Sequence, residues 1–350
     1  MAAGCAWTRS RPVFGSLAQA WDAAWPTGLA AIGMTVLATR KVLAWLHRRQ
    51  IMDHPNERSS HTLPTPRGGG LATTPVLAVL FILLGWRFDG LEGIVLGIGA
   101  LALMALSWWD DRHTLPVAPR FAAHAALIAV ALALMPGEWL VFQGVLPLWV
   151  DRAVILLGWL WFLNLYNFMD GIDGITGIET LSLGAGLAVA GALIGDWSLL
   201  PYGAVTAGVA IGFLVFNWHP AKLFLGDSGS VPFGFILGGL LVLLAARGHL
   251  AAAVILPAYY LADATITLAR RALAGEKVWQ AHRKHFYQRA TQGGKRHDQV
   301  AIAIAAGNAG LVACAVLTLL GHVWTGLAGG VVVTAGLLAL LQSWSKGKPA

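Results

Sequence analysis

The stretch Asn164-Leu-Tyr-Asn167-Phe-Met-Asp170-Gly-Ile-Asp173-Gly174 sets two carboxamides and two carboxylates three residues apart. On a helix, that spacing keeps each polar group on nearly the same face as the next. Gly171 and Gly174 let the backbone turn tightly and approach a ligand. Apolar runs flank the pattern, 153–163 before it and 181–194 after it. A charge this near hydrocarbon costs roughly 2.5–3.5 kcal/mol on insertion scales, so such residues normally have a functional or pairing role.

Other stretches hold comparable chemistry. Between Asp53 and Gly70, three prolines and three glycines exclude a regular helix. There Arg58, His61 and Arg67, with the glycine amides, are suited to cradling a phosphate. Asp110 and Asp111 are adjacent carboxylates whose repulsion a divalent cation, or Arg112, would relieve. Asp227, between Gly226 and Ser228-Gly229-Ser230, is an open carboxylate suited to an oxygen-ligated Mg²⁺ or to capping a helix. Asp263 is an acid in an apolar segment, expected to face Arg270 or Arg271. In His282-Arg-Lys-His285-Phe-Tyr-Gln-Arg289, the cations interleaved with the histidines favour phosphate over metal as the ligand.

Long apolar segments must position these groups. The chain is 57% hydrophobic and 12% charged, against roughly 25% charged in a soluble domain. The expected fold is an all-α polytopic membrane protein. Eleven spans are expected at 27–47, 71–87, 91–109, 120–136, 150–167, 176–195, 199–216, 231–247, 249–269, 299–320 and 323–343, with 137–149 as a partly embedded loop. Each is close to the ~20 residues that cross a bilayer. Residues 1–20 read as a polar tail and 21–345 as one membrane domain, with polar loops at about 48–70, 108–119, 164–175, 217–230 and 270–298. With residue 1 outside, 19 of the 24 Lys and Arg residues fall on the inner side, leaving Arg9, Arg11, Arg87, Arg152 and Arg247 outside. The positive-inside rule therefore predicts an external N-terminus and a cytoplasmic C-terminus. The net charge of +7 sits in these loops, where it suits anionic lipids and phosphates; no soluble basic domain offers a nucleic-acid footprint. Cys5 and Cys314 imply no disulfide framework.

Every acidic motif then follows span 3, 5 or 7, on one side of the membrane. Acids, glycine loops and basic loops gathered on one face describe a site for an anionic, metal-bound, water-soluble substrate. A second substrate would reach it from the lipid.

At these loops the chain resembles the polyprenyl-phosphate N-acetylhexosamine-1-phosphate transferases, glycosyltransferase family 4. The matching pieces are Asp53-x-Pro55-x-x-Arg58-x-x-His61 with Gly69-Gly70, Asp110-Asp111, and Asn164-x-x-Asn167-x-x-Asp170-Gly-x-Asp173-Gly. Asn217-x-x-Pro220-Ala221-x-x-Phe224-x-Gly226-Asp227-x-Gly229-Ser230, Asp263 and Arg283-x-His285 complete them, in the family's order over about residues 45–290. The resemblance implies Mg²⁺, or Mn²⁺ in its place, held by Asp227 and Asn167, with a uracil ring stacked on Phe224. It implies Asp173 near the uracil, Asp170 on the substrate, Asp110 and Asp111 close to a lipid phosphate, and Arg283 and His285 on a pyrophosphate. The implied partners are undecaprenyl phosphate, a UDP-sugar and membrane lipids, with room for a homodimer, in a bacterial inner membrane.

Two positions depart from the family's best-known members. Thr114 stands where the pentapeptide translocases carry a third acid, and two histidines of a His-x-His-His pattern are replaced in His285-Phe286-Tyr287-Gln288. The His-Arg-x-His-Phe-Tyr-Gln-Arg form looks like the subgroup that starts O-antigen and related polysaccharides. The expected reaction is attack of a lipid phosphate oxygen on the sugar-bearing phosphorus of a UDP-sugar, releasing UMP. The rival reading is a transporter with Asp263 and the span-end acids as an ion relay, but no repeated halves are evident.

Overall fold

The computed structural model describes residues 17–347, apart from 56–62 and the single positions 89, 114, 138, 197, 279 and 281. Arg58 and His61 lie in 56–62, and Thr114 is one of the single positions, so these three fall outside the described residues. Among the described residues, ten helices are long and apolar enough to cross a membrane. Eight of these are α1 (Leu17–Arg48), α2 (Gly70–Phe88), α3 (Leu91–His113), α4 (Val117–Leu134), α5 (Leu148–Phe168), α6 (Ile175–Ile194), α7 (Leu199–Asn217) and, later in the chain, α12 (His297–Leu319). Another is α13 (Val323–Trp344), and the remaining one is the stretch Asp227–Ile255. In hydrocarbon each backbone N–H and C=O must be satisfied within its own segment, so these apolar runs form helices.

Asp227–Ile255 is not one rod. It comprises α8 (Asp227–Leu244), a π-turn over Ala245–His249 and α9 (Leu250–Ile255). Gly248 inside the turn has φ +89°, a left-handed conformation that interrupts the helix. Arg247 pairs there with Asp196 and lies over the Trp139 ring, and Gln143 Nε2 donates to Ala246 O. From this end, α9 and then α10 (Ala258–Leu273) lead back to the other, where Tyr260 meets Tyr166 and Asp263 meets His285. The return was expected as one span over 249–269. It is instead split between Ile255 and Ala258, around Pro257, so neither piece spans by itself.

α8 is buried nearly all round, against α2, α3, α5 and α6. Pro232 within it has no N–H for the Ser228 carbonyl four residues back, and the buried Thr74 hydroxyl of α2 donates to that carbonyl at 3.0 Å. Trp159 of α5 donates to Phe235 O at 2.9 Å and stacks on the Phe235 ring.

The expected partly embedded loop at 137–149 is held by one carboxylate. Asp151, fully buried at the start of α5, accepts from the amides of Val141 and Phe142. α6 and α12 are joined deep in the bundle, where Asn308 Nδ2 donates to Glu179 Oε2 at 2.7 Å. Both side chains are almost wholly buried. Replacing Asn308 with Leu strips that carboxyl of its donor, and a buried group so orphaned costs about 1–3 kcal/mol. Asn308→Leu is expected to lower the thermal unfolding midpoint in detergent, while Glu179→Gln, which retains a side-chain carbonyl acceptor, falls by less; equal losses would remove the pairing from the account.

Candidate active site

The polar end of the bundle is assembled from loops laid on one another. Met52–Asp53 (β1) pairs antiparallel with Thr65–Pro66 (β2), and the chain beyond β2 runs along the Phe224 loop. Phe224 N donates to Pro66 O, Gly68 N and Gly69 N to Phe224 O, and Gly70 N to Leu225 O, at 2.8–3.1 Å. The glycine amides expected to cradle a phosphate are therefore engaged by these carbonyls. A Cβ on Gly70 would stand 2.1 Å from the Gly229 nitrogen, so only glycine permits this crossing. Its consequence is to bring Arg67 beside Asp227.

Arg67 Nη2 lies 2.6 Å from Asp227 Oδ1 and 3.6 Å from Asp111 Oδ1. Burial works against its charge, yet Asp227, Asp111, Asp53 and Asp170 together hold the guanidinium protonated, its pKa above the ordinary arginine value. Asp110 faces away from this group. Its oxygens accept from Leu115 N at 2.7 Å and Arg120 Nη1 at 2.6 Å, which ties α3 to α4. Arg112, the expected partner of the acid pair, lies over the Trp108 ring instead.

The Asn-x-x-Asn-x-x-Asp-x-x-Asp pattern does not stay on one helix. α5 ends at Phe168, and residues 169–174 form a turn with Gly174 at φ +78°. Asn164 donates to Leu160 O on its own helix, and Asn167 Oδ1 accepts from Ser230 Oγ at 2.6 Å, beside Asp227. Asp170 accepts from Thr176 Oγ1 at 2.6 Å; burial lifts its pKa to about 6 against that hydrogen bond and the pull of Arg67. Asp173 points to different neighbours. Its Oδ2 is 2.6 Å from His219 Nδ1, 3.3 Å from His297 Nδ1 and 3.2 Å from the Ala221 amide.

The basic segment docks through Asp263. This carboxylate faces neither Arg270 nor Arg271. It accepts from Tyr259, Thr267 and the amides of Phe286 and Tyr287, and meets His285 Nδ1 at 3.1 Å. Five neighbours make it the anchor of the short helix α11 (Phe286–Gln292), not an ion relay. Arg271 pairs with Glu276, which also pairs with Lys284, while Arg270 lies over Phe286. His285 is thereby buried to 1% exposure, stacked on Tyr287. Burial first, then the charges of His285, Arg271 and Lys284, push His282 down to about 4, leaving it neutral at pH 7. Arg283, whose carbonyl accepts from Gln292 Nε2, lies between these histidines and α11. Tyr287 and Gln288 close over Gly171: a Cβ there would be 2.3 Å from the Tyr287 hydroxyl and 2.9 Å from Gln288 Nε2.

Four carboxylates act on one guanidinium, with a carboxamide beside Asp227 and basic residues on the neighbouring loop, an arrangement whose chemistry suits a cation and phosphate oxygens. The chain matches the family model for glycosyl transferase family 4 over residues 89–245. It is 30% identical over 322 residues to the decaprenyl-phosphate N-acetylglucosaminephosphotransferase of Mycobacterium leprae, covering 79% of each chain. The chain belongs to glycosyl transferase family 4. The Mycolicibacterium smegmatis protein of the same description is 29% identical over 324 residues, 79% of this chain and 77% of its own. A probable undecaprenyl-phosphate N-acetylglucosaminyl 1-phosphate transferase of Bacillus subtilis is 27% identical over 271 residues, 72% of this chain and 73% of its own.

As a family member with ten helices among the described residues long and apolar enough to cross a membrane, the chain is a multi-pass membrane protein. The donors around Arg67 fit Mg²⁺ or Mn²⁺: they are carboxylate and carboxamide oxygens, and one guanidinium leaves most of the negative charge of Asp53, Asp111, Asp170 and Asp227 uncompensated. Among the described residues, the trio of metal-ligating side chains with atoms within 4.8 Å of one another is Asp173, His219 and His297, on the far side of Asp170 in sequence from Asn167. Neither histidine was singled out from sequence, and nothing local marks them, because His297 opens an apolar helix and His219 precedes a proline. Arg120 and Asp53 gain their importance only from partners on other elements. Gly70→Ala is expected to drive the two loops apart, giving little folded protein, whereas Gly336→Ala, at a site with open space, leaves expression and thermal unfolding unchanged; normal behaviour of Gly70→Ala would refute the tight crossing.

Proposed function

We propose that this protein transfers a sugar-1-phosphate from a UDP-sugar to a polyprenyl phosphate, undecaprenyl phosphate in bacteria that use it, and releases UMP. The observation that carries this reading is the gathering of Asp111, Asp170 and Asp227 on Arg67, next to Asn167 and at the mouth of an apolar bundle. A lipid phosphate oxygen attacks the sugar-bearing phosphorus, a new P–O bond forms, and the bond to the oxygen of UMP breaks. Asp227 and Asn167, with Asp111 and Asp170 near, would hold Mg²⁺, which supplies neutralising charge when bound. Arg67 and the Arg283 segment clamp phosphate oxygens. Asp111 steers the incoming lipid phosphate, while Asp110 holds α3 and α4 in register beneath it. No general base is required, since a phosphate monoester with a second pKa near 6 is already largely ionised at neutral pH. Phe224 receives the uracil ring, with Asp173 close by.

The sugar is an N-acetylated hexosamine or deoxyhexosamine, and the product starts a lipid-linked polysaccharide such as O-antigen. The Phe286-Tyr287-Gln288 sequence supports that subgroup, and relatives named for N-acetylglucosamine phosphate transfer support an N-acetylated hexosamine. The polar end faces the cytoplasm of a bacterial inner membrane. Its support is that Arg67, Arg120, Arg271 and Arg283 lie at that end, whereas Arg87, Arg152 and Arg247 lie at the other. Reporter fusions after residues 175 and 290 should both read cytoplasm; an external signal at 175 overturns the orientation.

The reaction is tested by purifying the protein in detergent and supplying polyprenyl phosphate, Mg²⁺ and a panel of UDP-sugars. UMP and a lipid-pyrophosphate-sugar are expected, with loss of turnover in EDTA; UDP with a lipid-monophosphate-sugar would mean that the glycosidic bond is broken instead. Asp227→Ala should retain less than about a tenth of the activity, roughly 1.4 kcal/mol or more of barrier, with its elution profile unchanged.

A further inference from the structure

We infer that His219, oriented by Asp173, accepts the N3–H of the uracil ring and so selects uridine over cytidine nucleotides. This rests on the reading that a nucleotide base lies against Phe224 and the Asp173 turn, and it assigns the discriminating contact to a residue at one of the unspecified positions of the family motif quoted above.

The hydrogen-bond roles follow from geometry. A ring nitrogen 2.6 Å from a carboxylate oxygen has to be the donor, so His219 Nδ1 carries the proton and gives it to Asp173 Oδ2. In the neutral ring the lone pair is then on Nε2. His297 Nδ1 meets Asp173 twice, at the amide nitrogen 3.2 Å away and at Oδ2 3.3 Å away. The Nδ1 atoms of both rings are thus engaged by Asp173.

Exposure decides which member a ligand meets. The His219 side chain is 30% exposed, His297 11% and Asp173 8%. His219 also sits on a loop that cannot easily shift. Lys222 N donates to Phe216 O at 2.8 Å, Asn217 Nδ2 donates to Leu223 O at 2.9 Å, and Asn217 Oδ1 accepts from Gly174 N at 3.0 Å. Phe224, five residues beyond His219, is pinned by its amide to Pro66 O. One stapled loop thus carries an aromatic ring at one end and an imidazole acceptor at the other. Asn217 is only 4% exposed, and its carboxamide donates to Leu223 O and accepts from Gly174 N within the loop.

An acceptor held in one tautomer discriminates sharply. Uracil presents a donor at N3 and cytosine an acceptor, so cytosine would set two lone pairs against each other. With Asp173 holding Nδ1–H, the ring cannot exchange tautomers to accommodate it.

The test is binding of UMP and of CMP to the full-length protein in detergent, by calorimetry. The wild-type protein is expected to favour UMP by about tenfold or more, the worth of one buried hydrogen bond against its loss. His219→Phe should weaken UMP about tenfold and bring the two nucleotides within about threefold. His219→Gln, whose carboxamide can turn either donor or acceptor outward, should bind UMP nearly as before and bind CMP more tightly than wild type. If both variants keep the wild-type UMP preference, Asp173 itself reads the base and the assignment to His219 falls. Should His219→Phe fail to fold, judged by elution and thermal unfolding, His219→Gln decides alone: an unaltered preference overturns the proposal. If wild-type protein shows no preference for UMP and releases none on turnover, the uridine-nucleotide reading fails first, and the assignment to His219 fails with it.

Discussion

The ion pair between Arg67 and Asp227 is the contact that sets the charge balance of the polar end. It joins residues 160 positions apart in sequence, and it exists because two loops cross closely enough for their backbones to touch. Four carboxylates so near one another would repel strongly without a cation. The guanidinium lets them coexist, and it does so with 39% of its side chain still open. A site of this kind stays charged, reachable and rich in oxygen donors, which are the properties that phosphate and hard-metal chemistry require.

The surrounding helices act as a frame whose polar ends satisfy one another. Thr74 replaces the hydrogen bond that Pro232 removes from α8, immediately beside Asp227. Ser230, one turn into the same helix, holds Asn167 at the end of α5. Asp263 collects the first amides of α11 and lays Tyr287 and Gln288 over Gly171. Each contact couples a membrane helix to a loop, so the loops have little freedom despite their glycine content. Irregular backbone at a membrane boundary is tolerated where protein groups meet its hydrogen-bonding needs, and here they do.

Neighbouring acids of one motif have separate fates. Asp110 is spent on Arg120 and a turn amide, while Asp111 looks into the site. Asp170 belongs with Arg67 and Thr176, while Asp173, three residues later, belongs with two histidines. The helix end at Phe168 accounts for the second division. Beyond it the three-residue spacing no longer means a shared face, because a turn containing a left-handed glycine sends successive side chains in different directions.

Much of this molecule was legible from residue order alone. Class, the spans and the gathering of acidic motifs at one end were readable, because hydropathy over ~20 residues and the side on which a segment ends are properties of local sequence. The motif resemblance, carried by Asn164 to Gly174 and Asn217 to Ser230, likewise led to the family. Tertiary structure alone decided which polar groups meet: Arg67 with Asp227, Arg120 with Asp110, Asp263 with His285, Asn308 with Glu179, and His219 and His297 with Asp173. It also decided that the glycine amides before α2 serve the Phe224 loop rather than a ligand, and that the ninth crossing is broken near Pro257. The reason is physical. A span is set by the free energy of its own residues in lipid, whereas an ion pair or a backbone crossing depends on where distant segments are brought by packing, and nothing in the local composition records that distance.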